Sequence, residues 1–160
     1  MIALVRHAES AADPSTPSST WGLTPAGRRA AAELDLPSGL RLASGPEPKL
    51  RQTLEPHGPV QVDERFRESD NPAEWLGRER FLEAVHDYFH DRPHSGWEPR
   101  AHVVARFTEA LEDGMAVCTG GRALSAVYAH LTAVDAWQLW QSLTMPQILT
   151  LEGPWVASTQ

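Results

Sequence analysis

Arg6 and His7 stand side by side at the end of a short apolar run, and they are the first residues of the chain equipped for chemistry. Arginine presents a planar fork of donors that matches a phosphate or a carboxylate. The histidine beside it brings a ring nitrogen that is nucleophilic near neutral pH. The run before them, Met1 to Val5, is aliphatic and β-branched, as in a strand covered on both faces. Ligands of open α/β sheets bind at the carboxyl ends of such strands. The pair therefore reads as an anion site with a nucleophile in it, against the plain alternative of a solvated strand end.

Other candidate residues carry less. His86 and His90 are four apart on an expected helix and share a face, a spacing that suits a metal, but no third ligand is evident. Cys118 lies in a second apolar run and reads as a small core residue. His57, His94, His102 and His130 read as surface or helix-end residues. The six tryptophans read mostly as packing anchors, with Trp21, in the loop after His7, a candidate pocket wall.

Composition sets outer limits. The 160 residues, 41% hydrophobic and 22% charged, suit a single globular domain, 1–160, with a sizeable core. A net charge of −7 argues against a nucleic-acid partner, which calls for a basic face. Phosphate binding stays open, because the local field of a pocket decides it. With one cysteine there is no internal disulfide, which fits a reducing compartment. No apolar stretch approaches the ~20 residues that span a bilayer, and the strand starting at Met1 leaves no room for a signal peptide. The expectation is a cytoplasmic protein with no membrane partner.

The elements that must position Arg6 and His7 follow in order. Residues 9–22 form a loop rich in Ser, Thr, Pro and Ala, and a loop after a strand-end site is often part of that site. Thr24 caps a helix with Pro25 at its first position, running to about Leu36. Leu40–Ser44 is a second strand, Lys49–Leu54 a short helix and Val60–Val62 a third strand. Residues 64–74 are polar and irregular. A helix is expected from about Trp75 to Asp91, with Leu82, Val85 and Phe89 on one face, and another from Pro99 to Asp113. Met115–Thr119 is the second central strand, and Gly120-Gly121 turns it into a helix over 122–131. A helix over 134–143 and a late strand, Gln147–Leu151, follow; residues after Glu152 are a tail or edge. Strands alternating with helices predict a three-layer α/β/α sandwich around a mostly parallel sheet.

Leu4-Val5-Arg6-His7-Ala8-Glu9-Ser10 resembles the opening motif of the histidine phosphatase superfamily, the phosphoglycerate-mutase-like proteins, whose usual form is Arg-His-Gly-Glu-Thr after a hydrophobic strand. Leu23-Thr24-Pro25-Ala26-Gly27 matches the family's Leu-Thr-x-x-Gly. The resemblance runs from Met1 to about Leu151 and implies a phosphoglycerate-mutase-like fold, no metal and no cofactor. It makes His7 the nucleophile and Arg6 a phosphate clamp, with Ser10 of the same motif beside the phosphate. The family's second clamp lies in Ser-Ser-Pro-x-x-Arg-x-x-Gln-Thr. Here Ser44-Gly45-Pro46-Glu47-Pro48-Lys49-Leu50-Arg51-Gln52-Thr53 puts Lys49 at the arginine position, keeping the charge and losing the fork. Arg51, two residues on, is roughly 200° around a helix and reads as a surface residue. Phe66-Arg67-Glu68 resembles the segment that supplies the general acid, which makes Glu68 the candidate, with Glu64 and Asp70 as rivals.

Two positions depart from the pattern. The family's Val-x-His-Gly-Gly corresponds to Val117-Cys118-Thr119-Gly120-Gly121, which puts Thr119 in the place of a second histidine. A neutral hydroxyl contact is about half as strong as a charge-assisted one. Asp13 stands where many members carry asparagine and would repel phosphate. The resemblance thus implies a phosphomonoesterase working through a phosphohistidine at His7 on a phosphorylated small molecule, weakened by Lys49 and Thr119. The alternative is a catalytically inactive relative that binds a phosphorylated ligand or a protein partner. A mutase is disfavoured, because the chain lacks the insertions of the larger mutases. On this alignment, Thr119→His with Lys49→Arg is expected to raise turnover at least about tenfold.

Overall fold

A computed structural model describes residues 1–71, 75–92 and 94–152. Five strands form one sheet in the order β3-β2-β4-β1-β5: β1 is Ile2–Arg6, β2 Arg41–Ser44, β3 Val60–Val62, β4 Met115–Thr119 and β5 Gln147–Leu151. The first four run parallel and β5 pairs antiparallel with β1. The two apolar runs are the two central neighbours, with Arg6 in register with Thr119. Their near-complete burial is why neither alternates in polarity.

Helices cover both faces. On one, Leu4 and Val117 pack with Phe107 of α4 (Arg100–Ala110) and Leu124 of α5 (Gly121–Thr132). On the other, Val5 and Cys118 pack with Leu50 and Leu54 of α2 (Pro48–Leu54). Cys118 is thus a fully buried core residue. The three-layer α/β/α sandwich is the observed architecture, and no helix among the described residues is long and apolar enough to cross a membrane.

Local rules hold at the first helix, α1 (Pro25–Ala32): the Thr24 hydroxyl accepts from the Gly27 amide at 2.9 Å, with Pro25 at the first position. The helix ends four residues before the expected Leu36, as the chain turns toward Pro37. Helix α3 (Arg78–Phe89) starts three residues later than expected, after Gly77 at φ 74°. Its inner face is Ala84, Val85, Tyr88 and Phe89, and Leu82 is exposed rather than inward. Helix α6 spans Ala136–Ser142. The tail expected after Glu152 lies outside the described residues.

Candidate functional site

The carboxyl ends of β1, β2 and β4 open into a cavity of about 650 Å³. His7 is buried at its floor. Its Nδ1 lies 2.7 Å from the Ala8 carbonyl oxygen. A carbonyl only accepts, so Nδ1 carries the hydrogen and Nε2 is left with its lone pair. Burial first, and then the Lys49 ammonium, push the imidazole pKa from 6.5 down to about 4, against the Ala8 hydrogen bond and the Glu68 charge. The ring is therefore neutral at physiological pH.

The motif residues explain how this ring is held. The Thr53 hydroxyl donates to the Lys49 carbonyl at 2.7 Å and accepts from the Ala8 amide at 3.0 Å, fixing the backbone that orients the imidazole. Gln52 accepts from the Leu23 amide at 2.8 Å, and Thr24 donates to Glu9 at 2.7 Å. The start of α1 is thereby tied to the segment after β1.

Arg6 lines the cavity and donates through Nη1 to the Leu143 carbonyl at 2.7 Å; its Nε is buried with no partner among the described residues. Lys49 also lines the cavity. Its ammonium donates to the Ser18 carbonyl at 2.9 Å and sits 5.4 Å from the centre of the Trp21 ring. The loop after His7 is thus part of the site, and Trp21 walls it, with Trp75 6.4 Å from it. Ser10 lines the cavity as well. Asp13 is exposed and receives the Ser15 amide and hydroxyl, and it is not among the lining residues. Arg51 points outward and pairs with Glu55, as the helical angle implied.

Thr119 does not join this group. Its side chain is fully buried, its hydroxyl is unpartnered among the described residues, and it does not line the cavity. Its contribution is a carbonyl that accepts from the His7 amide at 3.3 Å. The position that points toward the site is the next one. A Cβ on Gly120 would stand 2.0 Å from the Glu68 carboxylate, so Glu68 occupies the space that a side chain at 120 would take. The alignment that placed Thr119 in the pocket is off by one residue in space.

Glu68 itself reaches the cavity in a form the sequence did not foretell. Its Oε1 accepts from the Ser69 and Ala123 amides at 2.6 and 2.8 Å, and its Oε2 from the Arg122 amide at 3.0 Å. It thus sits on the amino end of α5, where carboxylates are stabilised. Burial would raise its pKa, but the Arg122 charge and the three amides outweigh that and hold it below the ordinary carboxylate value. Of the rivals, Asp70 lines the cavity but is exposed and paired with Arg67 at 3.0 Å, and Glu64 opens the 3-10 turn Glu64–Phe66 away from it.

Two cavity residues escaped the sequence reading. Arg122 is buried and lines the cavity, stacks 4.5 Å from the Trp97 ring, and donates to the Ser69 carbonyl and the Asn71 side chain, both at 3.2 Å. Its Nη1 is buried and unpartnered among the described residues. The signal was its place just after Gly120-Gly121, at the start of a helix following a central strand. Glu47 also lines the cavity; one carboxylate oxygen accepts from the Glu68 amide at 2.9 Å and the other has no partner among the described residues. Outside the site, His86 and His90 stack with ring centres 4.1 Å apart, and the described residues contain no cluster of three metal-ligating side chains.

No family model matches the sequence, and no curated protein matches it. Solved structures do match in shape. Bacillus stearothermophilus YhfR superposes with a TM-score of 0.69 at 20% identity, over 96% of this chain and 93% of that one. A mycobacterial glucosyl-3-phosphoglycerate phosphatase in complex with inorganic phosphate gives 0.62 at 22% identity, over 88% and 82%. A Thermus thermophilus protein, TTHB049, gives 0.63 at 27% identity, over 84% and 85%. The sheet order, the helices on both faces and these likenesses agree with the opening motif, and the chain has a phosphoglycerate-mutase-like fold.

Proposed function

We propose that the protein is a phosphomonoesterase of the histidine phosphatase type, in which His7 takes up the phosphoryl group of a small phosphorylated molecule. The observation that carries this reading is the His7 ring: Nδ1 is committed to a carbonyl, which leaves Nε2 its lone pair, in a cavity lined by Arg6, Lys49 and Arg122. Phosphoryl transfer spreads charge over three equatorial oxygens, and catalysis is mostly positioning and cationic stabilisation. Arg6 and Arg122 each keep one buried N–H unpartnered among the described residues, and a phosphoryl oxygen supplies the acceptor both lack. Lys49 adds charge, and Arg122 brings a second guanidinium fork to the cavity. The mycobacterial phosphatase solved with phosphate has the same fold and favours the same chemistry here.

A second reading has its own support. Glu68 fills the space in front of Gly120 and Lys49 is engaged by Ser18, as suits a pocket that binds a phosphorylated ligand without turning it over. Incubation with p-nitrophenyl phosphate separates the two. Release of p-nitrophenol that is lost in His7→Ala supports the enzyme. Phosphate binding without turnover in the wild type sinks it and leaves the binding protein.

A further inference from the structure

We propose that Glu47, not Glu68, is the acid that protonates the leaving oxygen. This rests on the phosphomonoesterase reading above and names a further catalytic residue within it.

Glu68 and Glu47 differ in how their oxygens are occupied. Both Glu68 oxygens are engaged by backbone amides, three in all, and Arg122 Nε lies 4.0 Å from Oε2. Three of the roughly four lone-pair sites of Glu68 are taken by amides, and taking a proton would weaken those charge-assisted hydrogen bonds. Glu47 is held differently. It is 7% exposed, and its Oε1 accepts from the Glu68 amide at 2.9 Å. Its Oε2 has no donor among the described residues, and the fold makes room for it: a Cβ on Gly45 would come within 2.7 Å. A buried charged oxygen without a partner is costly, whereas a protonated one is neutral and able to donate. Burial, the largest influence, accordingly raises the Glu47 pKa above the ordinary carboxylate value, with the Glu68 charge adding to it and Lys49 and two backbone hydrogen bonds opposing. Of this pair of glutamates, the one pushed up is the acid and the one pushed down is the charged partner.

The chemistry balances without a further reactant. His7 Nε2 attacks phosphorus, the P–O ester bond breaks, and the leaving oxygen takes the Glu47 proton as the free alcohol. Glu47, now a carboxylate, takes a proton from the water that attacks the phosphohistidine. Inorganic phosphate leaves, and both residues return to their starting forms.

The test is leaving-group dependence. Wild type, Glu47→Gln, Glu47→Asp and Glu68→Gln are assayed on glycerol phosphate, whose alkoxide needs a proton, and on p-nitrophenyl phosphate, whose phenolate leaves without one. Glu47→Gln keeps the acceptor for the Glu68 amide and should lose about 10²-fold or more on glycerol phosphate but at least about tenfold less on the aryl ester. Glu47→Asp should recover part of the glycerol phosphate rate, while Glu68→Gln should lower both rates by a similar factor. Equal losses on both esters in Glu47→Gln, no recovery in Glu47→Asp, or ester selectivity in Glu68→Gln would overturn the assignment and leave the phosphatase reading intact. A wild type that turns over neither ester overturns both.

Discussion

His7 sets two expectations that can be read by titration. Its folded pKa of about 4 lies below the 6.5 of an exposed imidazole. The unfolded chain therefore takes up a proton between pH 6.5 and 4 that the folded protein refuses. The group contributes stability above pH 6.5, and that contribution is lost as pH falls toward 4, by on the order of 3 kcal/mol. Thermal unfolding of wild type and His7→Ala across this range should show the wild type losing more stability on acidification; parallel curves would contradict the burial described. For the same reason kcat/KM should not decline through protonation of free His7 until the pH nears 4. Thr119 gives the opposite lesson. Its fully buried side chain leaves no space for an imidazole, so Thr119→His should destabilise by about 1–3 kcal/mol and raise no turnover. The gain expected from the sequence for Thr119→His together with Lys49→Arg therefore does not follow. Alternate residues of a strand face opposite sides, so a one-residue ambiguity where β4 meets Gly120 exchanges a cavity position for a buried one. Arg6, His7, Lys49 and Trp21 were legible because each has a local frame: a strand end, an ungapped motif, a loop that must lie beside them. Arg122 and Glu47 were not, because their importance comes from unpaired buried atoms, and pairing is settled only when distant segments meet.

The segment carrying Glu68 shows how one helix governs a loop. Arg106 of α4 donates to the carbonyls of Arg65, Arg67 and Glu68 at 2.7, 3.0 and 3.2 Å, and grips Glu98 at 2.8 and 2.9 Å. Phe66 anchors the same loop against Phe107, ring centres 4.9 Å apart. With Arg106 and Glu98 only 13% and 11% exposed, Arg106→Ala leaves the Glu98 carboxylate with the Asp70 amide at 3.1 Å and a longer contact to Arg67 at 3.5 Å. It should cost about 3–5 kcal/mol in denaturant unfolding, and turnover should fall with it as Glu68 loses its seat on α5. An unfolding midpoint unchanged from wild type would show that the loop does not depend on this contact. None of these contacts was readable beforehand, since a polar stretch such as 64–71 carries no periodicity. The strands were readable, because two apolar runs ending at Arg6-His7 and Gly120-Gly121 leave little choice of sheet centre.

The molecule as a whole carries −7, yet it gathers Arg6, Lys49 and Arg122 around one cavity. Lys49 and Arg122 are buried and Arg6 is half-buried, so the local field rather than the net charge meets an anion. Inorganic phosphate bound only by the folded state should then stabilise it, by about 2.7 kcal/mol at roughly a hundred times its Kd. For a chain of this size that is a rise in Tm of roughly 5–10 °C. The rise should shrink in Arg122→Met, and an equal rise in that variant would remove Arg122 from the anion site. The most direct measurement is capture of the phosphoryl group: rapid quench of the protein with p-nitrophenyl phosphate, then mass mapping of the labelled peptide. One phosphoryl group on His7, absent in His7→Ala, is the predicted result. Turnover with no label at His7, or with undiminished rate in His7→Ala, would contradict it.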